Sequence, residues 1–282
     1  MNQSSRLWMT ALRPGACLDR AAVTTGSKSG WGLMSGDGKN KNSEERMRRM
    51  PGLSIRKRLA RRVSTVVPDV VEKFVLAKRF FADIERMRFE VFSNRYDLYE
   101  FTNRTYYHGR ALQFLELGVF EGESIERWAK INTDADSRFH GFDSFEGLPE
   151  DWGGTPKGHF DLGGNIPRTG DARISFHKGW FQDTLPGFVA SMRSTPPLLI
   201  HIDCDLYSST LYCLSQLQGL IDPSVVVIFD EFGSVLHEYR AVKDFCSAYC
   251  RRWTIVGATS DMWTAAIRFE PHDLRVMAAA RE

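Results

Sequence analysis

The sequence predicts an α/β protein, a doubly wound and mostly parallel seven-stranded sheet that ends in an antiparallel hairpin and is preceded by N-terminal helices. Three observations predict it. From Ala111 onward, short apolar runs alternate with segments of helical period, as expected of a parallel sheet covered on both faces. The last two strand-like segments, 253–258 and 262–269, are separated only by Thr259, Ser260 and Asp261, too few residues for a crossover helix, so they should pair antiparallel. The chain has 282 residues, 43% of them hydrophobic and 26% charged, an ordinary globular composition with room for one large α/β domain and an extension, or for two small domains.

The elements follow in order. Residues 1–52 are rich in Gly, Ser, Asn and Arg, show no sustained period, and are expected to be disordered. Between Arg46 and Arg62 stand eight basic residues and no acid, with Leu53, Leu59, Val63 and Val66 able to line one face of a short helix. That segment reads as a solvated arm, as a contact for acidic lipid or nucleic acid, or as part of an organelle transit peptide. After Pro68, Val70, Val71, Phe74, Val75 and Phe81 recur at helical spacing through about Arg88. A second helix is expected over 94–107. Its tyrosines, Tyr96, Tyr99, Tyr106 and Tyr107, suit packing, a lid over a ligand, or the pairing of subunits into a homo-oligomer.

Five parallel strands are then expected, at Ala111–Leu117, Arg138–Asp143, Arg173–Lys178, Leu198–Asp203 and Val225–Asp230. Helices are expected at Ser124–Lys130, 184–193, Thr210–Ile221 and Glu238–Arg251. The division is therefore 1–52, an extension; 53–108, a basic segment and helices; and 109–282, the α/β domain. The stretch 150–172, with its Gly, Pro and His159, reads as a loop that shapes an acceptor pocket.

Composition excludes some classes. A net charge of +2 is too small for a whole-chain nucleic-acid binder. No apolar run is long enough to suggest a membrane span. Five cysteines, at 17, 204, 213, 246 and 250, form no disulfide framework, and the start of the chain carries no secretory apolar region. A reducing, cytoplasmic setting is expected. Cys246 and Cys250 share a helix face, but no second Cys or His pair has zinc spacing, so small buried residues are the better reading.

In an open parallel sheet, ligands lie beyond the carboxyl ends of the strands. The first strand ends in Glu116, Gly118, Gly122 and Ser124: glycines for a tight turn and close approach, loop amides for a carboxylate, and an acid for an ammonium, or else a structural turn. Asp143, followed by Ser144, ends the second, where a carboxylate can accept from two ribose hydroxyls or cap a helix. Gly179 and Trp180 follow the third, a turn beside an aromatic that suits adenine or the core. His201, Asp203, Asp205 and Tyr207 end the fourth, and Asp230 and Glu231 the fifth. Neighbouring strands lie about 4.8 Å apart, so these carboxylates should converge. They repel one another unless a cation compensates, which a hard divalent ion such as Mg²⁺ would do. Otherwise one acid holds a ligand and another acts as base.

These residues resemble the macrocin O-methyltransferase family (TylF/MycF-like) of class I methyltransferases. The matching blocks are Phe114–Ile125, Gly141–Pro149, Lys178–Pro186, His201–Thr210 and Phe229–Phe232, in order, within about Tyr96 to Phe269. The resemblance implies a Rossmann-like fold, S-adenosylmethionine as donor, and a hydroxyl of a small molecule as acceptor, a sugar in characterised relatives, with Mg²⁺. By position, Glu116 and Gly118 would line the donor loop, Asp143 would hold the ribose, and Asp203, Asp230 and Glu231 would hold the metal. Glu231 departs from the family's Asp by one methylene. Asp203 is the expected base, with His201 and His237 in reserve. A nicotinamide-dependent oxidoreductase would need a three-glycine loop after the first strand, which is lacking. A non-catalytic cofactor-binding protein remains the other alternative.

Overall fold

The computed structural model describes residues 70–192 and 196–270. The expected disordered extension and the basic segment, with its lipid, nucleic-acid and transit-peptide readings, lie outside the described residues.

The chain builds an eight-stranded sheet, one strand more than expected. The helix α1 covers 70–85 and is followed by the three-residue strand β1, Glu90–Phe92. Then come α2 (Arg95–Thr102), a π-helical turn (Asn103–Tyr107), β2 (Gln113–Leu117), α3 (Glu123–Ile131), β3 (Arg138–Asp143) and β4 (Ile174–Lys178). The chain continues through α4 (Phe181–Ser191), β5 (Leu198–Ile202), α5 (Tyr207–Leu217), β6 (Val226–Phe229), α6 (Glu238–Ala248), β7 (Arg252–Thr259) and β8 (Ala265–Glu270). Across the sheet the order is β1-β7-β8-β6-β5-β2-β3-β4. Every neighbouring pair is parallel except the two made by β8, which runs antiparallel between β6 and β7.

The extra strand pairs Glu90–Phe92 with Gly257–Thr259, and three residues are too few to show a period of two. It also changes the organisation. Residues 90–107 are built into the sheet and its packing, with Leu98, Tyr99 and Tyr107 buried against Phe114, Trp128 and Ile228. The helix expected over 94–107 divides: Asn94 caps α2 by accepting from the Tyr96 and Asp97 amides at 3.0 and 3.1 Å, and the π turn closes on His108 in the left-handed region. Two cores flank the sheet. One lies under α4, α5 and α6 around Ile200, Phe229, Phe232 and Tyr239, and the other under α2 and α3 around Trp128.

The central strands are apolar throughout because both their faces are covered. Val226–Phe229 is buried at every residue, and Phe114–Leu117 likewise. That rule makes the two polar exceptions informative. Glu116 on β2 and His201 on β5 are both fully buried and stand opposite each other in register.

Candidate active site

The strand ends are held level by hydrogen bonds that continue the sheet. The Gly118 amide donates to Phe142 O at 3.0 Å, the Asp203 amide to Leu117 O at 2.9 Å and the Asp230 amide to Ile202 O at 3.0 Å. Gly118 has φ +93°, and a Cβ there would lie 1.7 Å from the Asp203 carbonyl oxygen, so only glycine lets β2 turn away from β5. Gly122 is left-handed as well (φ +84°), but its nearest neighbours, Pro167 and Ile125, leave ordinary room. Close approach thus falls on Gly118, whereas Gly122 serves as the turn residue that starts α3.

Several residues expected to line the donor loop face inward instead. Ser124 is buried and donates to Glu116 Oε1 at 2.5 Å. Glu116 has no exposed surface, so it is not free to meet an ammonium group as expected. Asp143 accepts from the Val119 and Phe120 amides through Oδ2 (2.8 and 2.9 Å) and from the Phe145 amide through Oδ1 (2.8 Å). A carboxylate has about four acceptor sites. Three backbone amides of the chain's own loop thus take up most of that capacity. Ser144 is buried and accepts from the Glu146 amide at 3.1 Å, closing a turn. The Gly179 amide donates to Asp143 O at 2.9 Å, and Trp180 beyond it is 38% exposed, which removes the core reading for that ring.

The fourth and fifth strand ends divide into two groups. The first is a line of compensated charges. His201 Nδ1 lies 3.0 Å from Glu116 Oε1, and His201 Nε2 lies 3.3 Å from Tyr99 Oη and 3.9 Å from Asp230 Oδ1. Arg95, at the start of α2, closes the line with Nη1 2.9 Å from Asp230 Oδ2. Burial opposes a charge on His201, but the carboxylates of Asp230 and Glu116 outweigh it and raise its pKa to about 10. Burial would lift Asp230, yet His201 and Arg95 together hold it below the usual carboxylate range. His201, expected as a reserve base, is thus enclosed and shares its imidazole with Glu116. Its place is that of a strut.

The second group makes no ion pair among the described residues. Asp203, Asp205 and Glu231 bring one carboxylate oxygen each to within 4.8 Å of one another. Burial and then Asp230 push the Asp203 carboxyl well above its ordinary value. Burial, Asp230 and Asp143 raise Asp205 to about 7. Burial and Asp203 raise Glu231, whose buried Oε2 has no hydrogen-bond partner among the described residues. Behind it, the fully buried Glu238 accepts the Glu231 amide at 2.9 Å. Three clustered oxygens with an orphaned buried one fit a hard divalent cation. The set differs from the expected Asp203, Asp230 and Glu231: Asp205 takes the place of Asp230, which is held by Arg95. The D-x-D spacing of Asp203 and Asp205 just past the strand was visible in the sequence, while the left-handed turn at Asp205 was not. Tyr99 stood out in the sequence only as one of four tyrosines suited to packing, a lid or subunit pairing, and nothing local marks Arg95 or Glu238 for the site.

A sheet in which the first parallel strand lies at the centre, the chain winds outward on both sides and an antiparallel strand is inserted last defines the class I methyltransferase fold. Residues 115–232, which hold both groups of acids, match the family model described as a methyltransferase domain. The chain is 30% identical over 154 residues to the 8-demethyl-8-(2,3-dimethoxy-alpha-L-rhamnosyl)-tetracenomycin-C 4'-O-methyltransferase of Streptomyces olivaceus, a match covering 45% of this chain and 57% of that relative. Among solved structures it is similar to the O-methyltransferase NovP (20% identity, 62% of this chain and 78% of that one, TM-score 0.47). It is also similar to the calicheamicin methyltransferase CalS11 (18% identity, 84% and 99%, TM-score 0.48).

Proposed function

We propose that the chain is an S-adenosylmethionine-dependent O-methyltransferase acting on a hydroxyl of a small molecule, a sugar of a glycosylated natural product in the manner named for its Streptomyces relative, and of the macrocin type. One observation carries the reading: the Gly118 turn and the acids Asp203, Asp205 and Glu231 meet at the ends of adjacent strands, so a donor loop and a proton acceptor share one crevice.

The donor supplies an electrophilic methyl group on a sulfonium, and the residues of the chain do the rest. Backbone amides of the turn after Gly118 and the exposed Trp180 line the donor side. Asp203 takes the hydroxyl proton as the acceptor oxygen forms its bond to the methyl carbon and the carbon–sulfur bond breaks. A carboxyl held well above its ordinary pKa is a stronger base than a solvated one, which suits a weakly acidic alcohol. Holding the reacting atoms in line contributes most of the acceleration. Asp203, Asp205 and Glu231 would hold a divalent ion such as Mg²⁺, which when bound supplies positive charge favouring the ionised hydroxyl. His201 acts through Asp230 and Glu116 as a positioning residue. No helix among the described residues is long and apolar enough to cross a membrane. The four described cysteines are unbridged, which supports a reducing, cytoplasmic setting.

The test is methyl transfer from labelled donor to a panel of glycosides, with thermal shift by S-adenosylhomocysteine compared with NAD. Transfer, and a shift by the former alone, is the expected result. A shift by NAD alone would establish the oxidoreductase alternative, and cofactor binding without any transfer the non-catalytic one.

A further inference from the structure

A cavity of about 300 Å³ opens between Tyr207 at the start of α5, His237 and Arg240 at the start of α6, Glu150 and Asp151 of the loop after β3, and Glu72 on α1. We propose that this cavity seats the methyl acceptor, that His237 reads one of its ring hydroxyls, and that the charge of the walls selects a neutral polyhydroxy ring over one carrying phosphate. The inference rests on the methyl-transfer reading above and adds where the acceptor binds and what it must lack.

Position comes first. The walls are the continuation of the acid-bearing loops. Leu206, another lining residue, directly follows Asp205, and His237 directly precedes Glu238, whose carboxylate accepts the Glu231 amide. The volume lies at the small end of the roughly 300–1,000 Å³ usual for small-molecule sites, enough for one ring with the remainder of a larger molecule outside.

His237 has the marks of a ligand-reading group. It occupies the N-cap of α6, where a short polar side chain normally caps, and makes no side-chain capping bond. Its Nδ1 is buried with no hydrogen-bond partner among the described residues. Burial, with Arg240 and Lys73 acting in the same direction and Glu150 against, keeps the ring neutral. A neutral imidazole offers one donor and one acceptor, which matches a hydroxyl. The Trp152 ring stands edge-on to it, centroids 6.4 Å apart, and adds an aromatic surface at the same place.

The charge is negative. Three carboxylates line the cavity against one guanidinium, and that guanidinium is held by Glu72 at 3.1 Å and lies 3.8 Å from Asp244. Glu150 accepts from Ser208 Oγ at 2.6 Å and Asp151 from the Lys157 amide at 2.8 Å, hydrogen bonds that leave both charges uncancelled. Lys73, the other cation acting on His237, does not reverse the balance. Carboxylates accept hydrogen bonds from hydroxyls and repel phosphates, so they discriminate by a repulsive element as well as an attractive one. A glycosyl-transfer reaction must then supply the substrate, because a ring still attached to a nucleoside diphosphate would be rejected.

The experiment measures binding of methyl α-L-rhamnopyranoside and of dTDP-L-rhamnose, by ligand-observed NMR at millimolar concentration with S-adenosylhomocysteine present. The neutral glycoside should bind at least about tenfold tighter to the wild type, and His237→Ala should weaken it about tenfold, the worth of one buried hydrogen bond. The double variant Glu150→Lys, Asp151→Lys, at two exposed positions, should swing preference toward the nucleotide sugar. Thermal shift by S-adenosylhomocysteine should be unchanged in every variant, showing that each folds. Preference for the nucleotide sugar by the wild type, no binding of either probe, or variants that change nothing while S-adenosylhomocysteine still binds would overturn this inference alone. Absence of any shift by S-adenosylhomocysteine in the wild type would instead overturn the methyl-transfer reading.

Discussion

Two groups of acids, all buried but the half-buried Asp203, stand side by side at the same strand ends and are treated in opposite ways by the fold. Glu116 and Asp230 are threaded together by His201 and closed by Arg95, so each carboxylate has a cation from the chain itself. Asp203, Asp205 and Glu231 make no ion pair among the described residues, and burial together with repulsion from neighbouring carboxylates, Asp230 among them, raises the pKa of each. The first group resembles a structural ion-pair line, in which the charges are part of the scaffold. The second is a strained group that only a ligand relieves, the usual condition of a functional site. Sequence alone brought Asp203, Asp205, Asp230 and Glu231 together and set Glu116 apart in the loop after the first strand. The fold regroups them, because the buried imidazole of His201 joins Asp230 to Glu116.

The contrast breaks first at Asp203. Asp203→Ala is expected to lower methyl transfer by about 10²–10⁴, the usual contribution of a positioned base, with an unchanged circular dichroism spectrum. Full turnover in that variant would remove the base from the second group and leave the acids without a role in proton transfer. Rigorous chelation should lower the wild-type rate as well, and an unaltered rate would leave Asp203 acting without a metal.

In the first group the expected loss is stability. His201→Phe leaves Glu116 buried with only Ser124 and deprives Asp230 of a cation, and breaking a buried charged pair costs about 3–5 kcal/mol. Urea unfolding measures it. A variant as stable as the wild type would show that the line is not scaffold. The pH dependence has a definite sign. His201, raised to about 10, contributes stability that is fully present below the ordinary histidine pKa and is lost as pH rises through about 10.

The second group has the opposite consequence near neutrality. Asp205, raised to about 7, binds its proton more tightly folded than unfolded, so stability falls as pH rises from about 4 through 7. Asp205→Asn should therefore stabilise the protein by about 4 kcal/mol at pH 8 and reduce that slope. Magnesium should raise the midpoint of thermal unfolding of the wild type more than that of the variant, by mass action on the folded state. A variant less stable than the wild type at pH 8 would show that the group is already compensated.

What the sequence made legible follows the same division. Strand ends, glycine turns and the alternation of elements are local, and they located β2 to β8 and the five acids at the strand ends, though not Glu238 behind them. Two kinds of fact were not local. The pairing of Glu90–Phe92 with β7 joins residues about 170 positions apart in the chain, through a strand too short to have a pattern. The capture of Asp230 by Arg95 depends on α2 lying over the strand ends, which no spacing within α2 announces. Asp205 was visible in its motif, but its left-handed backbone (φ +59°), which only the folded loop shows, accompanies its approach to Asp203 and Glu231.

Tyr99 is the smallest lever on the contrast and the one that tests its boundary. Its hydroxyl lies 3.3 Å from His201 Nε2 and 3.4 Å from Asp230 Oδ1, long contacts that share one proton between two partners of the compensated line. Its ring stacks on Trp128 with centroids 5.0 Å apart, and that packing survives loss of the hydroxyl. Tyr99→Phe should therefore cost only about 0.5–1.5 kcal/mol. Asp230 remains paired with Arg95 in that variant, so the slope of stability between pH 4 and 7, to which Asp205 and the other raised carboxyls contribute, should not move. A changed slope would mean that Tyr99 couples the two groups through Asp230, and the division drawn between them would give way to a single network.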